Sequence, residues 1–133
     1  MKTLIKNAKI VNEGLIFSAD VLIENDIITK ILPHIEDAAD QTIDAAGKYL
    51  LPGIIDDQVH FREPGLTWKG TIESESKAAI AGGVTSFIDQ PNTVPNAVTQ
   101  ELLQEKYTIA AEKSYSNYGF MMGGTNDNLE EIL

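Results

Sequence analysis

At 133 residues, 43% of them hydrophobic, the chain has the length of one ordinary domain and is too apolar to be disordered. Its net charge of −10, from 20 acids against 10 bases, sets it against nucleic acid and anionic membrane as partners and leaves a small molecule as the expected ligand. With no cysteine it has no disulfide, no thiol nucleophile and no Cys-ligated metal, which suits a cytoplasmic protein.

The N-terminal run MKTLIKNAKIVNEG alternates and lacks the apolar stretch of a signal peptide or membrane span. Thr3 to Val11 reads as a strand, closed by a turn at Asn12-Glu13-Gly14. Val21–Glu24 and Ile27–Ile31 read as two strands around Asn25-Asp26, a pair suited to the positive φ of a tight hairpin. Thr42–Asp44 and Tyr49–Leu51 flank a turn at Ala45–Lys48. Residues 1–50 are therefore expected to form a small antiparallel β unit. His34, after Pro33, reads as a surface histidine.

The periodicity changes after Pro52. Ile54 to His60 reads as a strand. Thr71 to Ala81 reads as a helix capped by Thr71, with Glu73 and Glu75 in its first turn, Gly82-Gly83 at its end, and Ile72, Ser76, Ala79 and Ile80 on one face. Val84 to Asp89 is apolar on both sides, as a covered parallel strand is. Thr99 opens a second helix with Leu103, Tyr107, Ala110, Ala111 and Ser114 on one stripe. Asn117 to Met122 is a third strand, and Asp127-x-x-Glu130 is a capping pattern for a third helix. Three strand–helix repeats over residues 51–133 predict parallel βαβ units.

Chemistry concentrates in Leu51–Gly65, LPGIIDDQVHFREPG. In an extended strand side chains alternate, so Asp56, Gln58, His60 and, if the extension persists, Arg62 share one face. Ile55, Val59 and Phe61 lie on the other, with Asp57 among them. A solvated edge strand also alternates, but a His, an Arg and three acids leading into Pro-Gly are more than an edge needs. Reacting groups of parallel β/α folds gather at the C-terminal strand ends, so Gln58, His60 and Arg62 are expected to meet Asn92, which follows the next strand.

This segment resembles the Asp-x-His-x-His metal-binding signature of the amidohydrolase superfamily. Its continuation Phe61-Arg62-Glu63-Pro64-Gly65, with Gln90-Pro91-Asn92-Thr93, resembles dihydroorotase in particular, where the second motif typically reads Met-Pro-Asn-Thr. One position departs: Gln58 stands where the family carries its first metal-ligand histidine. The resemblance implies an α/β fold, the N-terminal part of a TIM-type (β/α)8 barrel. Residues 51–133 would be its first three β/α units and residues 1–50 the N-terminal share of a β-sandwich. A TIM barrel needs eight units and about 250 residues, so the chain is expected to be the N-terminal piece of a longer enzyme. The alternative is a self-contained three-unit open sheet with an uncovered edge strand.

The implied activity is zinc-dependent, reversible ring opening of dihydroorotate to N-carbamoyl-aspartate in pyrimidine biosynthesis, with metal lowering the pKa of bound water. One or two zinc ions would be held by His60, by Gln58 only as a weak amide ligand, and by residues beyond Leu133. The general-base aspartate would also lie beyond Leu133, so the 133 residues alone are expected to be inactive. Arg62 and Asn92 stand where dihydroorotases bind the substrate carboxylate; a guanidinium suits it because it grips a carboxylate bidentately. Blander roles are a core histidine, an Arg62 ion pair with Glu63 or Asp57, and turn chemistry at Asn92. Family members are often homo-oligomers. Two other readings are a related cyclic amidase of the allantoinase or hydantoinase type, and a catalytically silent subunit that scaffolds aspartate transcarbamoylase, for which Gln58 argues.

Overall fold

A computed structural model describes residues Met1–Leu133 as mixed α/β, in two compact units, Met1–Pro52 and Gly53–Leu133. No helix is long and apolar enough to cross a membrane.

The first unit is one five-stranded sheet: β1 (Lys2–Asn12), β2 (Leu15–Glu24), β3 (Ile27–Leu32), β4 (Gln41–Asp44) and β5 (Tyr49–Leu50). β2 starts at Leu15, well before the Val21 read from the sequence. Asn25 takes a φ of 47° in the hairpin between β2 and β3, as expected. The expectation of an antiparallel unit is corrected. β4 and β5 both pair parallel to β1, with Thr42 opposite Leu4 and Tyr49 opposite Lys9. The cause is the crossover 33–40, which carries the chain from one sheet edge to the free side of β1. The turn at Ala45–Lys48 then offsets the chain without reversing it.

A bulge in β1 between Ile5 and Ala8, with Asn7 at φ 57°, brings Ala8 onto the face of Ile5, and apolar residues cluster on both faces of the sheet. Ala8, Ile10, Ala19 and Val21 form one cluster, and Leu4, Leu22 and Ile35 the other. Buried Asp20 ties bulge to crossover, accepting from Asn7 N at 2.9 Å and Ile35 N at 3.0 Å. The Asn7 amide is the main reason its carboxyl is held below the usual carboxylate range; the Ile35 amide adds to it, against desolvation. His34 is on the surface, as expected, with Nδ1 3.5 Å from Asp20.

The second unit alternates β6 (Ile54–Val59), α1 (Ile72–Ala81), β7 (Val84–Asp89), α2 (Gln100–Lys113), β8 (Asn117–Phe120) and α3 (Leu129–Ile132). Its strands lie in the order β6-β7-β8, all parallel, with α1 and α2 as the crossovers. Thr71 caps α1 by accepting from Ser74 N at 3.0 Å, and Ser74 Oγ accepts from Thr71 N at 3.1 Å. Gly83, at φ 89°, turns the chain out of α1 through a conformation that strains other residues. Thr99 caps α2 through Leu102 N.

Phe61, Ile72, Phe87, Ala110 and Phe120 form the core of this unit, with Phe61 and Phe87 ring centroids 4.4 Å apart. Three expectations are corrected. Ile80 is 43% exposed and Ala111 is exposed, so neither lies on a buried stripe. α2 encloses Lys106 along with Ala110, and the lysine's charge finds a partner inside. At α3 the cap position belongs to Asn128, not Asp127, and its carboxamide does not cap. It accepts from Thr125 N and donates to Val98 O and Gly123 O, tying the loops after β7 and β8 together.

Candidate active site at the strand ends

The site region is built from the C-terminal ends of β6 and β7. Asp56 lies opposite Phe87 and Val59 opposite Asp89, so three steps on β6 match two on β7. This bulge interrupts the alternation, and Gln58 N turns to Asp56 Oδ1 at 3.2 Å. Arg62 sits at φ 70°, so the extension does not persist and the four polar residues do not line one face of a strand. A non-glycine residue held there is a strained position of the kind that clusters at functional sites.

His60 lies just past β6, flanked by two bonds to the end of β7. Gln90 N donates to Val59 O at 2.9 Å, and Phe61 N donates to Asp89 Oδ1 at 2.9 Å. The imidazole is exposed, and its Nδ1 is 2.9 Å from Asn92 Oδ1. A carboxamide oxygen only accepts, so Nδ1 is the donor in this arrangement, and in the neutral ring the lone pair then lies on Nε2. Ligating histidines are commonly fixed in this way by a partner on the other ring nitrogen. The turn containing Asn92 is closed by its neighbours, with Thr93 N and Ala97 N donating to Pro91 O and Thr93 Oγ1 to Pro95 O. The Asn92 side chain is thereby left to His60.

The two site loops touch. Val94 N donates to Pro64 O at 3.2 Å, and a Cβ on Gly65 would lie 2.0 Å from Val94 O, so this approach requires glycine. Glu63 is not part of a reactive cluster. It is 5% exposed, accepting from Ile72 N at 2.8 Å on Oε2 and pairing with Lys113 Nζ at 2.6 Å on Oε1. The Glu63 partner considered for Arg62 is therefore engaged elsewhere. Hydrogen bonding to Glu63, with its charge, raises the Lys113 pKa. Beside Asn92 opens a cleft of about 230 Å³, lined by Pro91, Asn92, Asn96, Val98 and residues 123–125.

His60 and Asn92 are thus brought together, Arg62 is two residues from His60 on the same loop, and Gln58 lies exposed on β6. No three His, Cys, Asp or Glu side chains converge anywhere in the chain. A catalytic zinc site takes three protein ligands, so these residues fit one member of such a site and not the whole of it.

The sequence reading passed over a buried ion pair: Lys106 Nζ is 2.8 Å from Asp89 Oδ2 and donates to Gln90 O at 2.8 Å. The Asp89 contact lies outside hydrogen-bonding angles and acts through charge. The signal was present, since an acid ends an otherwise apolar strand and a lysine sits between Leu103 and Ala110 on the buried stripe of α2.

A family model described as Dihydro-orotase-like matches residues 47–128. The dihydroorotase of Methanosarcina acetivorans is 41% identical over 129 residues, 96% of this chain and 27% of the relative. The allantoinase of Bacillus velezensis is 39% identical over 134 residues, 97% of this chain and 29% of the relative. Among solved structures, L-hydantoinase (dihydropyrimidinase) from Arthrobacter aurescens superposes with a TM-score of 0.93 at 32% identity, covering 98% of this chain and 29% of that one. The chain spans less than a third of each of these proteins.

Proposed function

The chain belongs to the dihydro-orotase-like family, and from that premise we propose that it is the N-terminal portion of a dihydroorotase. The complete polypeptide would open the ring of dihydroorotate reversibly to N-carbamoyl-aspartate. The observation that carries the reading is the 2.9 Å contact between His60 and Asn92, which joins two separated motifs at neighbouring strand ends. Residues 51–133 are then the first three β/α units of a (β/α)8 barrel. The parallel order β6-β7-β8 supports this, and so do Ile54 and Ile55, 55% and 68% exposed on an edge strand that further strands would cover. Residues 1–50 are the opening share of a β-sandwich. Exposed Leu15, Ile16, Ile27 and Ile28 call for a covering segment there.

Each site residue has a distinct task. Arg62 grips the ring carboxylate of the substrate, helped by the Asn92 amide nitrogen, which the contact with His60 leaves free. His60, held by Asn92 with its Nε2 lone pair available, is the one strong metal ligand of this segment. Zinc is the proposed metal. Gln58 offers only a neutral amide oxygen, and the remaining ligands and the general base come from elsewhere in the polypeptide.

A second reading, a cyclic amidase of the allantoinase or hydantoinase type, draws on the allantoinase and hydantoinase likenesses. Arg62 argues against it, because those substrates lack the ring carboxylate. A silent scaffolding subunit is the third, resting on Gln58. Arg62→Lys in the complete polypeptide tests the main reading. Dihydroorotate affinity is expected to fall with metal content unchanged; unchanged affinity removes Arg62 from substrate binding.

A further inference from the structure

We propose that the buried Lys106–Asp89 pair is a clamp that positions the two loops of the site against each other. Both residues are 0% exposed. An enclosed ion pair is a poor stabilising device, since apolar residues of similar volume commonly do as well or better. The destination of its bonds gives this pair another task. Asp89 Oδ1 accepts from Phe61 N at 2.9 Å, and Phe61 lies between His60 and Arg62. Lys106 Nζ, 2.8 Å from Asp89 Oδ2, donates to Gln90 O, two residues before Asn92. It also lies 4.9 Å from the centroid of the Phe120 ring, on the last residue of β8.

One carboxylate therefore holds the backbone that carries the imidazole and the guanidinium, and one ammonium holds the backbone that carries the carboxamide. Gln90 N to Val59 O and Met121 N to Asp89 O close the same knot across all three strand ends. Lys106 and Asp89 touch no reacting atom; they are positioning residues for Arg62, His60 and Asn92. This role rests on the dihydroorotase reading for its effect on catalysis.

The test compares two double variants of the complete polypeptide, D89N/K106M and D89A/K106M. Both remove both charges, but asparagine keeps an Oδ1 acceptor for Phe61 N and alanine does not. If the alanine pair does not fold, D89L/K106M, which refills the volume, takes its place. The readouts are peptide-resolved hydrogen exchange over Val59–Glu63 and KM against kcat for dihydroorotate. The clamp predicts exchange roughly tenfold faster in the acceptor-free variant. It predicts a fall in kcat/KM of about a hundredfold there, and of only about tenfold in the asparagine variant, which keeps the Phe61 bond and loses the Lys106 bond to Gln90 O. Equal behaviour of the two variants overturns the proposal. Faster exchange with unchanged kinetics also overturns it, because the pair is then only a structural brace. A parent with no dihydroorotate turnover refutes the functional reading, and the exchange comparison still decides whether the clamp exists.

Discussion

Glu63 is the third acid of the segment 51–65, and its surroundings predict that removing it harms the fold and not the chemistry. Its Oε2 accepts from Ile72 N at 2.8 Å, at the first residue of α1, and Ile72 is completely buried. Glu63→Ala leaves that N–H enclosed without a partner. A hydrogen bond to a charged group is worth about 1.5–3 kcal/mol. A negative charge at a helix N-terminus adds about 0.3–1 kcal/mol. Together they give a loss of about 2–4 kcal/mol. The ion pair with Lys113 is left out of the sum, because that side chain is 41% exposed and returns to water when released. Glu63→Gln keeps an oxygen for Ile72 N but loses the charge and sets an NH2 group where Oε1 accepted from Lys113, a side chain that can turn to water, so its loss is about 1 kcal/mol. Lys113→Met leaves the Ile72 bond intact and is expected to be the mildest of the three. Urea unfolding followed by circular dichroism ranks them. Equal midpoints for the alanine and glutamine variants would refute the acceptor role. An alanine variant that keeps its midpoint and loses turnover would move Glu63 into the chemistry.

Two further predictions concern metal and pH. Gln58→His in the complete polypeptide is expected to raise bound metal, and Asn92→Ala, which strips the partner from His60 Nδ1, to weaken metal binding about 10–100-fold; metal analysis of both checks this, and unchanged content in the Gln58 variant would discard that position as a ligand. Asp20 has its carboxyl lowered by the Asn7 and Ile35 amides, so its stabilisation is full above the ordinary carboxylate value of about 3.9 and is lost as pH falls through the lower folded value. Asp20→Asn turns an NH2 group toward one of those two amides and is expected to lose about 1–3 kcal/mol at pH 7. The gap to the parent should narrow below pH of about 4 in urea titrations, and a gap independent of pH would contradict the assignment.

Local signals were the legible ones. β7 occupies the residues read from its apolar run, and Thr71, Thr99 and Asn25 do what their side chains favour locally. The pairing of β4 and β5 with β1 was not legible, because it depends on where the crossover 33–40 sets the chain down and not on the alternation within either strand. α3 shows the same limit: Asp127-x-x-Glu130 signals a cap, but Asn128 holds the cap position, and its carboxamide is taken by Gly123 of its own loop and by Val98, distant in sequence. At the site, the meeting of His60 with Asn92 followed from neighbouring strand ends. The bulge in β6 and the left-handed turn at Arg62 did not follow, since alternation holds only while the strand continues. Lys106 was passed over because a charge in a buried stripe reads as solvated until its partner, Asp89, is known.

The measurement that bears most directly on the central claim is turnover of a substrate panel by the complete polypeptide, with dihydroorotate, allantoin and a hydantoin assayed side by side. The account predicts ring opening of dihydroorotate in preference to both others, because Arg62 has a carboxylate to grip only there. Turnover of allantoin or hydantoin without dihydroorotate would contradict it and assign the chain to the other cyclic amidases. No turnover of any, with metal absent, would favour the silent subunit.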